Sequence, residues 1–201
     1  GNHDINNRNA ASFDGRSRQM AEAVSANEFA EIYNDFGYDE ALSRDPASLS
    51  YTYDLGPDMR LLMLDRCQYS PTNKVGGMIK TETYDWIDDQ LDEAWDDGVI
   101  LLPVAHHNLL DESKIYVEDC TIEHSEELVN RLEEENVPLF LSGHLHVQHY
   151  MRNEEDRGIY EIVTSSLSTP PCQYGVLEYS NDDTFFYHTW MMKAFPITHN
   201  R

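Results

Sequence analysis

The sequence predicts an α/β fold, and three observations predict it. Two continuous apolar runs of strand length, Val99 to Ala105 and Val137 to Leu141, suit strands covered on both faces. A helical segment precedes each run, and the first of them has its own start and stop signals. The final stretch reads instead as short alternating strands, so the sum is α/β for two-thirds of the chain and mostly antiparallel β at the end, an α+β mixture.

Taken in order, Gly1 to Arg18 is polar and turn-rich. Ser25-Ala26-Asn27-Glu28 reads as a capping box. Phe29, Ile32, Tyr33 and Phe36 then recur at helical spacing, and Gly37 is placed to stop the helix. Leu49 to Leu55 alternates in part, and Gly56-Pro57-Asp58 turns the chain into Arg60 to Asp65, a hairpin whose second strand is buried. Gly76-Gly77 marks a loop. Thr81 caps a second helix with Tyr84, Ile87, Leu91 and Ala94 on one face and Gly98 past its end. A third helix runs from Ser125 to Glu135. Gln148 to Asn153, Ile159 to Ser165, Tyr174 to Tyr179 and Thr184 to Met192 read as a β-meander, with turns at Glu154–Gly158 and Asn181-Asp182-Asp183. Nothing resembles a repeat or a dividing linker, so residues 1–201 are expected to form a single domain.

The balance of 14 Lys and Arg against 37 Asp and Glu gives a formal charge of −23. Such a chain repels a phosphate backbone or an anionic membrane surface, because both modes depend on basic side chains. No nucleic acid is therefore expected as a partner. No apolar run is long enough to cross a bilayer. Hydrophobic residues at 40% and aromatics at 11% suffice for a core despite the charge. The three cysteines, Cys67, Cys120 and Cys172, are widely spaced and odd in number, and indicate neither a disulfide framework nor a cysteine zinc site. The chain begins with Gly rather than Met, and the expectation is that it is a piece of something longer.

Three clusters carry the chemistry: Gly1-Asn2-His3-Asp4, His106-His107-Asn108 and Gly143-His144-Leu145-His146. The last two follow the apolar runs, and ligands of an α/β sheet collect beyond the carboxyl ends of its strands. Neutral imidazole and carboxamide oxygen are both good ligands for a borderline metal. A His-x-His past a strand end can aim two imidazoles into one cleft, and the glycine before it allows close backbone approach. Asp4 beside His3 could orient that imidazole or raise its pKa, as a general acid requires. Each cluster alone has a plainer reading, a surface or capping pair for His106-His107 and a polar turn for Gly1 to Asp4. Their conjunction and order carry the functional reading.

That conjunction resembles the calcineurin-like metallophosphoesterases, with Gly1-Asn2-His3-Asp4 and Gly143-His144-Leu145-His146 the specific matches and His106-His107 the weaker one. The resemblance implies a two-sheet αββα sandwich with two divalent ions at the strand ends, and hydrolysis of a phosphodiester or phosphomonoester by a metal-bound hydroxide. Carried over, Asn2, His106 and His144 would ligate one metal and His146 the other. His3, paired with Asp4, would be the acid that protonates the leaving oxygen or would steady the phosphate, and His107 would lie close behind the metal or near the substrate. Mn, Fe, Zn, Co and Ni all suit such ligands. Glu161 to Leu167 and Tyr174 to Tyr179 look like the closing strands of the cyclic-nucleotide-phosphodiesterase-like branch.

The family also uses an Asp-x-His and a Gly-Asp that precede Gly-Asn-His-Asp, and neither pair occurs in the 201 residues. The expectation is a domain without its N-terminal strands, holding at most one metal or holding it weakly, with impaired activity. A missing N-terminal piece or self-association would then complete it. A small phosphate ester is the expected substrate. The alternative reading is a degenerate phosphoesterase fold used as a protein-binding module. His124, His149, His188 and His199 carry no motif and read as structural or surface residues, with His149 the best placed of them for a substrate role. Asp65 reads as a turn or capping residue, and Trp86 and Trp95 as helix packing.

Overall fold

The computed structural model describes residues 1–113, 119–154, 158–180 and 183–192. Its strands are β1 (Ala11–Asp14), β2 (Ser17–Met20), β3 (Ser43–Arg44), β4 (Tyr51–Asp54), β5 (Met59–Leu64), β6 (Gly77–Met78), β7 (Ile100–Ala105), β8 (Ile122–Glu123), β9 (Leu139–Ser142), β10 (His149–Arg152), β11 (Tyr160–Val163), β12 (Gln173–Ser180) and β13 (Thr184–Met191). Its α-helices are α1 (Ala26–Ile32), α2 (Thr81–Asp97) and α3 (Ser125–Glu134). Seven strands form one sheet in the order β10-β11-β9-β7-β5-β4-β3. Its centre, β5, β7, β9 and β11, is parallel, and β10, β4 and β3 pair antiparallel at the edges. The fold is thus mixed α/β, as the sequence predicts, and most of its strands join one large mixed sheet.

Alternation along the strands divides the core. Leu62, Leu64, Leu101 and Phe140 point to the side covered by α2 and α3, where Ile87, Leu91, Leu128 and Leu132 meet them. Leu102, Leu139 and Ile162 point the other way, against Leu177, Phe185 and Tyr187 of the β12–β13 hairpin. Three layers result: helices, sheet and hairpin. Among the described residues no helix covers the outer face of that hairpin, where Phe186 and Trp190 are exposed.

Local signals explain most boundaries. Ser25 caps α1 and the Glu28 carboxylate answers its backbone N–H, the reciprocal box the sequence shows. Gly98 ends α2 in the left-handed conformation. The predicted hairpin is β4–β5, closed by Leu55 N–H donating to Met59 O at 2.8 Å.

Four expectations are corrected. Thr81 is the first helical residue of α2; Lys80 holds the cap position and gives the helix no side-chain capping bond. The apolar stripe of α1 does not enter the core, since Ile32, Tyr33 and Phe36 are exposed. Trp86 is buried with its Nε1 donating to Ser43 Oγ at 3.0 Å, but Trp95 is exposed. The last third is not one meander. Ile162 and Val163 are apolar on both faces, so β11 enters the main sheet parallel to β9 and takes β10 with it, while β12–β13 stands apart. The β1–β2 hairpin carried no alternating apolar pattern and was not foreseen. The two predicted turns fall largely on 155–157 and 181–182, and His199 on the C-terminal stretch, all outside the described residues.

Candidate metal centre

The carboxyl ends of β7 and β9 lie side by side, and Gly143 N–H donates to His106 O at 3.0 Å. The first turn of the chain is brought to the same place. Asn73, which the sequence reading passed over, clamps it by donating from Nδ2 to the carbonyls of Asn2 and Ile5, each at 2.7 Å. All three predicted clusters therefore meet at one end of the sheet.

Asn2 is buried, and its Oδ1 lies 2.9 Å from His106 Nε2. The same Nε2 lies 3.1 Å from His144 Nδ1. One ring nitrogen carries either one proton or one lone pair, so it cannot answer both neighbours with a full hydrogen bond. Two ligands held at ~2.1 Å and at right angles on one cation lie about 3.0 Å apart, which matches these spacings. The donor set fits one ion. It consists of two imidazoles and a carboxamide; among the described residues no three His, Cys, Asp or Glu side chains are grouped to hold a metal.

The electrostatics agree. Burial pushes His106 down to about 3 and lowers His144, so both rings are neutral near pH 7 and keep a lone pair for a ligand. His107 is pushed down to about 4 by burial, partly offset by its bond to the Val75 carbonyl. Its Nε2 lies 2.7 Å from Val75 O, its ring is 0% exposed, and its centroid is 4.7 Å from that of His144. It stands behind the convergent donors, away from solvent.

The glycines act differently from the expectation. A β-carbon at Gly143 would meet nothing nearer than 3.8 Å, so close approach is not its reason. Gly1 and Gly77 are the tight positions, where a β-carbon would fall 2.8 Å from the His106 ring and 2.6 Å from the His107 ring. His144 and His146 both adopt left-handed backbone in a turn closed by Leu145 N–H on Gly143 O. The pair is therefore aimed by a turn and not by strand pleat.

His3, Asp4 and His146 are exposed at the rim. His3 and His146 both lie near enough to His144 to disfavour its protonation. Asp4 accepts from the Gly1 amino group, and among the described residues no hydrogen bond joins it to His3. Asp65 accepts from Leu49 N, Cys67 N and Tyr69 Oη and does not reach the donors. All three cysteines are free, and burial raises the Cys67 thiol to about 11.

Sequence reasoning missed the layer beneath. Glu161 is fully buried on β11 and accepts from Leu109 N at 2.8 Å, Leu110 N at 2.6 Å and Ser142 Oγ at 2.6 Å. It thereby ties the loop after His107 to the end of β9. The buried Arg66 guanidinium donates to His107 O and lies over the Phe140 ring. A lone Arg and Glu, distant in sequence, give no spacing signal. Beside His106 a cleft of about 250 Å³ opens among Phe29, Tyr33, Tyr38, Tyr51 and Asp4.

No family model and no curated protein matches the chain. Among solved structures it is similar to a dimetal phosphatase from Danio rerio, at 16% identity and a TM-score of 0.49, over 63% of this chain and 52% of that one. The match thus spans about half the length of that neighbour.

Proposed function

We propose that the chain is a metal-dependent phosphoesterase acting on small phosphodiesters or phosphomonoesters. The observation that carries the reading is the convergence of Asn2 Oδ1, His106 Nε2 and His144 Nδ1 at the ends of two central strands. Together these three would hold one divalent ion, with Mn, Fe, Zn, Co and Ni all compatible. When bound, such an ion polarises a phosphoryl oxygen and lowers the pKa of water. The chain's own residues do the rest. The neutral imidazoles of His106 and His144 face the ligand. Glu161 and Arg66 fix the loop that carries His106 and His107. His3, exposed at the rim, would give a proton to a leaving oxygen, and His146 is exposed there as well.

A second ion has less support. His146 is the one ligand assigned to it, and no carboxylate bridges the cluster among the described residues. The chain as it stands is therefore read as binding one ion and turning over slowly. The exposed outer face of β12–β13 favours a second reading, a binding module of the same fold.

Elemental analysis after metal loading, with a panel of phosphate esters, tests the proposal. One ion per chain and weak turnover are expected. His106→Ala should weaken metal binding about 100-fold and His146→Ala less than about tenfold. No bound ion would sink the metal reading; two ions with robust turnover would sink the claim of impairment.

A further inference from the structure

The β1–β2 hairpin does not belong to either core. Its register pairs Ala11 with Met20 and Phe13 with Arg18. Alternation therefore puts Ala11, Phe13, Arg18 and Met20 on one face, and Ser12, Asp14, Ser17 and Gln19 on the other. Neither face is covered: Phe13 is 73% exposed and Met20 61%. A free two-stranded hairpin is marginal in water, and an aromatic ring gains nothing by standing in solvent.

Its charge is the reverse of the rest of the chain. The guanidinium groups of Arg8, Arg16 and Arg18 make no hydrogen bond, ion pair or ring contact with any described residue; Arg18 takes part in the hairpin through its backbone alone. Every other lysine or arginine among the described residues is engaged. Arg60 bonds Asp54 and Asp97, and Arg131 bonds Asp88. Arg66 bonds His107 O, while Arg44 and Arg152 lie over tyrosine rings. Lys74 and Lys80 donate to Gln68 and Ala47. In a chain of −23, the three uncommitted cations fall within one short stretch of sequence, from Arg8 to Arg18, with Asp14 the only acid between Asp4 and Glu22.

The hairpin is tied to the metal centre at its foot. Asn7 Nδ2 donates to His3 O at 3.0 Å, immediately before Arg8. Asn6 Nδ2 donates to Tyr69 O, and Asn6 N–H to Val24 O, each at 2.7 Å. From there the arm rises about 13 Å, four residues at ~3.3 Å each.

We propose that β1–β2 is a recognition arm of the same site. It binds the part of a phosphate ester beyond the reacting group, with a planar ring on Phe13 and a further phosphoryl charge on Arg8, Arg16 and Arg18. That is the chemistry of a nucleotide with more than one phosphoryl group, and the assignment rests on the phosphoesterase reading. Guanidinium pairs phosphate in a fork, and an aromatic face accepts any base. Three cations in an acidic chain suit a small polyanion. A long nucleic acid would meet the surrounding carboxylates.

Calorimetric titration of ADP and inorganic pyrophosphate into chelator-treated protein isolates the arm from any metal. Changing Arg8, Arg16 and Arg18 together to Ala should weaken both ligands about tenfold or more, and changing them to Lys should recover part of that loss. Phe13→Ala should weaken ADP about tenfold and pyrophosphate less than about twofold. Equal binding by parent and variants overturns the arm, as does an oligothymidylate that binds more tightly than ADP through the same arginines. Turnover of bis(p-nitrophenyl) phosphate with added Mn is measured in parallel. Turnover without arm-dependent ADP binding defeats the arm alone. Arm-dependent binding without turnover defeats the phosphoesterase reading and leaves the arm supported.

Discussion

On the helix side of the sheet, Leu62, Ile87, Leu128, Leu132 and Phe140 are fully buried in one continuous cluster. On the hairpin side, among the described residues, only Leu102, Leu139 and Ile162 form a buried cluster, and Leu177, Phe185 and Tyr187 cover them incompletely. The candidate metal centre, where Asn2, His106 and His144 converge, is anchored to the first side. Glu161 is neighbour to Phe140 across the β9–β11 pair and so points to the helix face, and Arg66 stacks over that ring. The contrast shows how the molecule can hold imidazoles in place with one well-packed layer while its other layer stays thin.

The largest effect should come from breaking the thick side. Phe140→Ala removes a fully buried ring and should cost about 3–5 kcal/mol in urea unfolding. Phe185→Ala, on the thin side, should cost about 1 kcal/mol, because its ring is only partly buried and its surroundings can relax. Equal losses would mean that the two faces contribute alike and would break the comparison.

Acid should act next, through the same side. His107 is 0% exposed, and its folded pKa of about 4 lies below the ordinary value of 6.5. The unfolded state then binds the proton more readily than the folded one, so stability is full above pH 6.5 and falls as the pH drops towards about 4. The loss from this one ring is about 3 kcal/mol at most. Urea midpoints of chelated protein from pH 7.5 to pH 4 measure it. In His107→Phe the slope should flatten, and an unchanged slope would assign the acid sensitivity elsewhere.

Much of this architecture was legible in the sequence, and the exceptions have physical reasons. Helix α2 declares itself by period and by Gly98, and β7 and β9 by their apolar runs. His106 and His144 could be named because strand ends and ligand types coincide there, whereas Asn2 was named only through the family resemblance of its motif. Asn73, Arg66 and Glu161 could not, since each acts through one long-range contact that leaves no spacing. The meander failed for a related reason. The β-branched pair Ile162-Val163 states that a strand exists but not which neighbour it pairs with, and β9 supplied a parallel partner that local turns do not reveal. The β1–β2 hairpin was hidden because its strands carry too few apolar residues to show a period.

The smallest effect sharpens the comparison most. Trp190 and Phe186 lie on the outer face of β13, 56% and 49% exposed, with no layer above them among the described residues. Removing exposed rings should leave unfolding within about 0.5 kcal/mol of the parent. Trp190→Ser and Phe186→Ser together should therefore keep the urea midpoint while raising the concentration at which the protein aggregates, because a contiguous apolar patch is lost. A loss above about 1 kcal/mol would mean that this face is covered in solution. Sedimentation of the parent would then show a larger species that the double variant lacks, and the thin side would prove to be an interface rather than an exterior.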